Sequence, residues 1–271
     1  MKAIQITEFG GPDVMHLVDL EEPKATEGLE LINVSAIGIN YADTHQTENS
    51  YLSAQKLPLI PGIEVVGTTT KGVRVLAPVD GGGYAQKALT HPATMIPIPD
   101  GVTDEQALCM LVQGSTAWHI LKTVGHLQPG ETVVVHAAAG GVGTIAIQLA
   151  KMWGAKVIAV ASSEVKRALA TSLGADVVVE ATHENLGDAI KVANGGKGVS
   201  DTLQLSLGGA EPLSYRQLQV EGHYYLDRPS GIFSRLNGDI TGDDSEKIAI
   251  EEDVQKRKAE EEIRSGPGGK G

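Results

Sequence analysis

A single cysteine, Cys109, is all the thiol chemistry of this chain, which leaves neither a disulfide nor a four-cysteine zinc site open to it. Aromatic residues are nearly as scarce, with two Phe, two Trp and six Tyr among 271 residues. No apolar segment approaches the roughly 20 residues that a helix needs to cross a bilayer, so no membrane role is expected. Positive charge is short too: 22 Lys and Arg face 34 Asp and Glu, a net charge of −12, and a nucleic-acid partner finds no electrostatic support. Residues 1–6 enter a strand pattern with no hydrophobic leader, and the lone thiol suits a reducing compartment, so a cytoplasmic location is expected. Cys109 lies in an apolar helical run, 104–112, and reads as a small buried hydrophobe, because no neighbouring base would make it a nucleophile.

What the chain has in quantity is glycine, 33 residues of it, and glycine marks turns. The length exceeds one usual domain, and the pattern changes once along it. Residues 3–6, 14–18, 29–36, 63–69, 73–77, 83–89 and 94–98 are short apolar runs divided by Gly, Pro and Asp, the mark of an antiparallel β-rich domain over 1–112. Beyond Gln113, helical patterns at 116–124, 143–153, 164–173 and 186–192 alternate with strand patterns at 132–136, 156–160, 176–179, 202–207 and 223–226. That alternation predicts an α/β domain over 113–235 with a parallel sheet and right-handed crossovers. Residues 236–271 shift to Gly, Asp, Glu and Lys and read as an atypical polar tail.

The most informative run is Val133-Val134-Val135-His136-Ala137-Ala138-Ala139-Gly140-Gly141-Val142-Gly143. A β-branched strand leads into a small-residue turn and then into a helix whose apolar residues recur three and four apart. Here Ala138 takes the first position of the usual G-x-G-x-x-G, Gly140 lets backbone approach a pyrophosphate, and Gly143 brings helix close to strand. With Gly141 and Val142, these residues form the expected dinucleotide turn, and the helix N-terminus offers N–H groups and a positive dipole end to phosphate. The next strand ends in Ala161-Ser162-Ser163, where an NAD site places an acid against the ribose 2′-hydroxyl. With no acid at that strand end, Ser162, Ser163 and the nearby Lys166 and Arg167 suit a 2′-phosphate, so NADPH is the expected coenzyme, with Glu164 the one contrary residue. A solvated helix face is the plainer reading of the two cations.

Several further motifs stand in register: Gly38-Ile39-Asn40-Tyr41-Ala42-Asp43, Pro61-Gly62-Ile63-Glu64-Val65-Val66-Gly67, Gly82-Gly83-Tyr84-Ala85 and Gln113-Gly114-Ser115-Thr116-Ala117. Together with the glycine turn, they make the chain resemble the zinc-independent quinone oxidoreductases of the medium-chain dehydrogenase/reductase superfamily over roughly residues 1–226. The resemblance implies a GroES-like antiparallel β domain with the substrate site, a doubly wound Rossmann domain, NADPH in the cleft between them, and a homodimer. Zinc-dependent relatives carry Cys where this chain has Asn40 and His where it has Ile63, and neither replacement ligates zinc. The chemistry implied is therefore direct hydride transfer to a quinone or activated alkene.

By the same likeness, Asn40 faces nicotinamide and acceptor, with Asp43, His45 and Tyr51 lining the pocket, and Gln113 and Thr116 lie near the nicotinamide end. Asn40 can donate to an acceptor oxygen, and Tyr51 or His45 can donate a hydrogen bond or proton as charge develops there. Each has a plainer alternative. Asn40 can bond backbone in a turn, Asp43 can cap a helix starting at Thr44, His45 can be a surface histidine, and Thr116 can bond backbone. Glu64 is read as a structural salt bridge. Two departures stand out: Thr47-Glu48-Asn49-Ser50 replaces an arginine-glycine loop before Tyr51, and no basic-Gly-Lys return strand follows Asp227. These departures leave the homodimer open. They also keep two alternatives alive, an enoyl reductase on the same scaffold and a cofactor-binding protein with little turnover.

Overall fold

The computed structural model describes residues 1–25, 28–50 and 55–197, and the backbone of strands at 201–204, 223–226 and 233–236. The first part is antiparallel. Strand β1 (Lys2–Gln5) pairs with β2 (His16–Asp19), and β3 (Glu30–Ile37), helix α1 (Tyr41–Thr47), β4 (Glu64–Thr69), β5 (Arg74–Pro78), β6 (Lys87–Thr90) and β7 (Ile96–Pro97) follow in sequence. The last five strands form one sheet in the order β6-β3-β4-β5-β7. Strand side chains alternate between faces, and here both faces are covered. Val65, Ile32, Val75 and Ala88 fill one side, while Val66 and Leu76 meet Ala107 on the other. That double burial is why Val65 and Val66 stand side by side in β4, and it makes the buried carboxylate of Glu64 at the strand's start conspicuous.

A continuous helical stretch over 104–124 links the two halves. Thr103 opens it with reciprocal bonds, accepting from the Gln106 N–H at 3.2 Å while its own N–H donates to Gln106 Oε1 at 3.0 Å. Helix α2 (Asp104–Cys109) gives way to a π-helical turn, Met110–Gly114, then to α3 (Ser115–Trp118) and a second π stretch, His119–Val124. Its start buries Ala107, with Leu108 and Leu111, on the antiparallel sheet, and its end buries Ala117, Ile120 and Leu121 on the second domain. Cys109 is exposed, contrary to the expectation of a buried thiol: Ala107 and Leu111 take the inward positions, and Cys109 and Met110 fall on the outer face.

The second part comprises β8 (Thr132–Val135), α4 (Gly141–Met152), β9 (Lys156–Ala161), α5 (Glu164–Ser172), β10 (Val177–Glu180), α6 (Leu186–Ala193), β11 (Asp201–Gln204), β12 (His223–Leu226) and β13 (Phe233–Leu236). The strand order is β10-β9-β8-β11-β12-β13, parallel except for the last pair. This is the doubly wound order, reversing direction at β8. Val133 and Val135 face α4 and the linking helix, and Val134 packs with Ile158, Leu186 and Ile190 on the opposite face. The antiparallel β13 was not anticipated, since its polar surroundings mask a four-residue strand, and it carries Leu236 into the sheet from what reads as tail. No helix among the described residues is long and apolar enough to cross a membrane.

Candidate functional site

The site starts where β8 ends, between β9 and β11, the point at which open α/β sheets bind ligands. Ala137 turns the chain with a left-handed φ of 47°, and the turn closes with Gly140 N–H donating to Ala137 O at 2.8 Å. Ala138, expected at the first glycine position, is buried and gives its N–H to Val160 O, so the left-handed residue stands one place earlier. Helix α4 makes its first bond from Thr144 N–H to Gly140 O, which leaves the N–H groups of Gly141, Val142 and Gly143 without helical acceptors. The two outer glycines serve different needs. A Cβ on Gly143 would lie 2.5 Å from Ala137 O and 2.9 Å from Ala138 Cα, whereas one on Gly140 would meet only Ala137 O at 3.2 Å.

At the end of β9, Ser163 caps α5 by accepting from the Lys166 N–H at 3.4 Å, and Ser162 and the Lys166 side chain are exposed. Arg167 is committed differently: Nη1 donates to Ala161 O at 3.2 Å and lies 3.6 Å from Glu180. It therefore places a cation on the last carbonyl of the strand. His136, just past β8, has an enclosed Nε2 with no hydrogen-bond partner, and burial pushes its pKa down to about 4. Because the unfolded chain titrates near 6.5 and the fold resists that proton, stability should be intact above pH ~6.5 and fall as pH drops toward 4, by up to about tenfold in the folding constant per unit. His136→Gln should flatten that limb in urea titrations between pH 7 and 4.5; an unchanged limb would count against a neutral, buried imidazole.

The linking helix bears two of the expected residues and brings one of them to this turn. The side chain of Gln113 lies against Gly141, its Cδ 2.6 Å from where a Cβ would sit. Thr116 donates through Oγ1 to Val112 O at 2.6 Å, the backbone bond that its sequence allowed. On the antiparallel side, Asn40 is the N-cap residue of α1, which begins at Tyr41, three residues before the expected Thr44. The Asn40 N–H donates to Asp43 Oδ2 at 2.8 Å, and its side-chain Nδ2 donates to Glu64 Oε1 at 2.7 Å. Tyr84 donates its hydroxyl to the same Asp43 oxygen at 2.8 Å, while Asp43 Oδ1 is enclosed without a partner. His45 is 8% exposed, not a surface residue, with Nδ1 2.7 Å from Ser50 Oγ and its ring edge-on to Tyr41.

Two carboxylates are thus buried within one cluster, Asp43 at 4% and Glu64 at 1% exposure. Burial raises the pKa of each; hydrogen bonds from Asn40 to both, from Tyr84 to Asp43 and from Val112 to Glu64 pull the other way, and the Asp43 charge raises Glu64 further. Burial and the Asp43 carboxylate push the Tyr84 phenol up, so it stays a donor.

Comparison with known proteins places this geometry. The family model of the alcohol dehydrogenase GroES-like domain matches residues 26–100, and that of zinc-binding dehydrogenase matches 141–224. The quinone oxidoreductase of Thermus thermophilus, solved also with NADPH, superposes with a TM-score of 0.70 at 33% identity, over 81% of this chain and 78% of that one. The chain belongs to the quinone oxidoreductase-like branch of the medium-chain dehydrogenase/reductase superfamily. The Escherichia coli quinone oxidoreductase complexed with NADPH gives a TM-score of 0.74 at 29% identity, covering 80% of this chain and 69% of its own. A curated quinone oxidoreductase of Pongo abelii is 33% identical over 187 residues, 65% of this chain; the chain spans 57% of that relative's length.

Within this quinone oxidoreductase-like frame, the structure gathers Asn40, Asp43 and His45 on α1, Gln113 and Thr116 on the linking helix, and Ala138, Gly140, Gly141, Val142 and Gly143 at the turn. Ser162, Ser163 and Lys166 stand at the end of the neighbouring strand, and Tyr51 lies outside the described residues. Glu64 corrects an expectation: it makes no salt bridge among the described residues but accepts from Asn40 Nδ2 and, at 3.0 Å, from Val112 N–H. Tyr84 was part of the family motif yet not singled out for the site. Its signal was the glycine at Gly62, where φ is 95° and a Cβ would strike the Tyr84 ring at 2.4 Å.

Proposed function

We propose that this protein is an NADPH-dependent reductase that delivers hydride to a small quinone or activated alkene without a metal. The observation that carries the reading is the unbroken run of contacts from the glycine turn to Asn40: Gly141 against Gln113, the neighbouring Val112 N–H on Glu64, and Glu64 on the Asn40 amide. It puts the coenzyme turn and the acceptor-facing amide on one framework. The relatives above are named quinone oxidoreductases, and two were solved with NADPH.

Residues 1–112 would carry the acceptor site, 113–235 the coenzyme, and 236–271 neither. The free N–H groups of Gly141, Val142 and Gly143 would bind pyrophosphate, with Gly140 leaving its approach open. Ser162, Ser163 and Lys166 would hold the 2′-phosphate, helped by the Arg167 charge on Ala161. When bound, the coenzyme supplies hydride, so the protein itself has only to position, exclude water and stabilise oxygen charge. Asn40 donates to the acceptor oxygen, Asp43 lines its pocket, and His45 or Tyr51 supplies the proton.

Zinc does not fit the donors present. Asn40 offers an amide N–H to the Glu64 carboxylate, Glu64 spends both oxygens on N–H donors, and no group of three candidate ligands converges among the described residues. The test is NADPH oxidation with 1,4-benzoquinone in a chelating buffer. Undiminished turnover is expected; loss on chelation, or turnover only with acyl-thioester enoates, would overturn the metal-free or the quinone part. Lys166→Glu should weaken NADPH at least tenfold while leaving NADH within about threefold in fluorescence titrations, through lost attraction and added repulsion at the 2′-phosphate. Equal losses would remove Lys166 from that pocket.

A further inference from the structure

Glu64 is costly to keep. It is a carboxylate at 1% exposure with no cation beside it among the described residues, at the start of a buried strand, and it shares its surroundings with a second buried carboxylate, Asp43. Backbone room has been cleared for it: a Cβ on Gly38 would fall 2.2 Å from Oε1 and 2.4 Å from Cγ. Strand alternation points it the same way as Val66, toward the linking helix, and its second oxygen takes the Val112 N–H where that helix opens into the π register. Its first oxygen takes Asn40 Nδ2. Both Glu64 oxygens accept from N–H donors, so the Asn40 amide presents its NH2 group to Oε1 and its side chain is held in one orientation.

We propose that Glu64 is a positioning residue, which holds the Asn40 amide in one orientation and ties it to the helix that bears Gln113, so that acceptor and coenzyme half-sites stay in register. This rests on the reading of Asn40 as the group that meets the acceptor. Its direct consequence is directional: the second Nδ2 proton and the Oδ1 atom of Asn40 point where Glu64 leaves them, and a neutral amide at position 64, able to donate as well as accept, would let Asn40 adopt either face.

Glu64→Gln is the test, with the full chain assayed for melting temperature, NADPH affinity, and kcat and KM with 1,4-benzoquinone. We expect the melting temperature to hold or rise, since an ionisable group whose charged form burial disfavours is replaced by a neutral amide, and NADPH affinity to stay within twofold. The quinone kcat should fall at least tenfold. Gly38→Ala, which pushes Glu64 aside without altering its charge, should reproduce the kcat loss. A kcat equal to wild type, or one that falls only in step with melting temperature and coenzyme affinity, would overturn the proposal. If wild type oxidises no NADPH with quinone, the reading of the activity fails instead, and the side-chain NH2 resonances of Asn40 decide: a shifted, slowly exchanging proton in wild type that is lost in Glu64→Gln supports the orienting role, and identical spectra refute it.

Discussion

Gly143→Val should cost up to about a hundredfold in NADPH affinity and, with it, most coenzyme-dependent turnover at low coenzyme. The reason is the nature of the atoms in the way. A Cβ at that position would lie 2.5 Å from Ala137 O, 2.9 Å from Ala138 Cα and 3.0 Å from Ala138 C, and all three belong to backbone that is held on both sides. Ala138 gives its N–H to Val160 O, and Gly140 N–H closes on Ala137 O, so neither residue can retreat without breaking the turn. The helix must move instead, and the N–H groups that would face pyrophosphate move with it. Overpacking of this kind typically costs about 1–3 kcal/mol, and about 2.7 kcal/mol is a hundredfold in affinity. Gly140→Ala separates the two roles of the turn. Its Cβ would meet only Ala137 O at 3.2 Å, so the melting temperature should barely change while NADPH affinity still drops, because the methyl covers backbone that phosphate must reach. Should both variants melt early and bind alike, the turn would be merely structural.

Asn40→Ala is expected to lower kcat/KM for benzoquinone by about a hundredfold, the usual loss when one donor to a developing oxyanion is removed, while NADPH affinity holds within about threefold. The amide is buried at 7% exposure and aimed by Glu64, so no neighbouring side chain replaces it readily. Asn40→Asp should be worse for the fold than for the chemistry. It would set a third carboxylate between Asp43 and Glu64, with the donor of the 2.7 Å bond replaced by a like charge, and thermal melts should shift down more at pH 8 than at pH 5. A wild-type kcat/KM in Asn40→Ala would assign Asn40 to capping α1 and nothing more.

Much of this site was open to inspection in the chain. Gly143 and Gly140 could be assigned opposite duties from their places between strand and helix, because a βα turn of that length offers few geometries. The absence of an acid at Ser162 and Ser163 was likewise a local fact. Glu64 was visible as a lone carboxylate within Ile63-Glu64-Val65-Val66, yet its partners were not, since Asn40 lies 24 residues upstream and Val112 lies 48 downstream. Cys109 was misjudged for a related reason. Apolar periodicity locates a helix, but the π turn that follows and the packing of Ala107 and Leu111 on the sheet determine which side faces in.

Local rules, then, were enough to anticipate the two-part α/β architecture and the tight glycine turn between β8 and α4, because hydrophobic period and glycine placement act over a few residues. The joining of the halves was settled only by the folded chain. Whether a buried carboxylate meets a cation, another acid or an amide depends on residues brought together across the sheet and the linking helix, and in a low-dielectric interior those neighbours, not the residue's identity, govern its charge and its task.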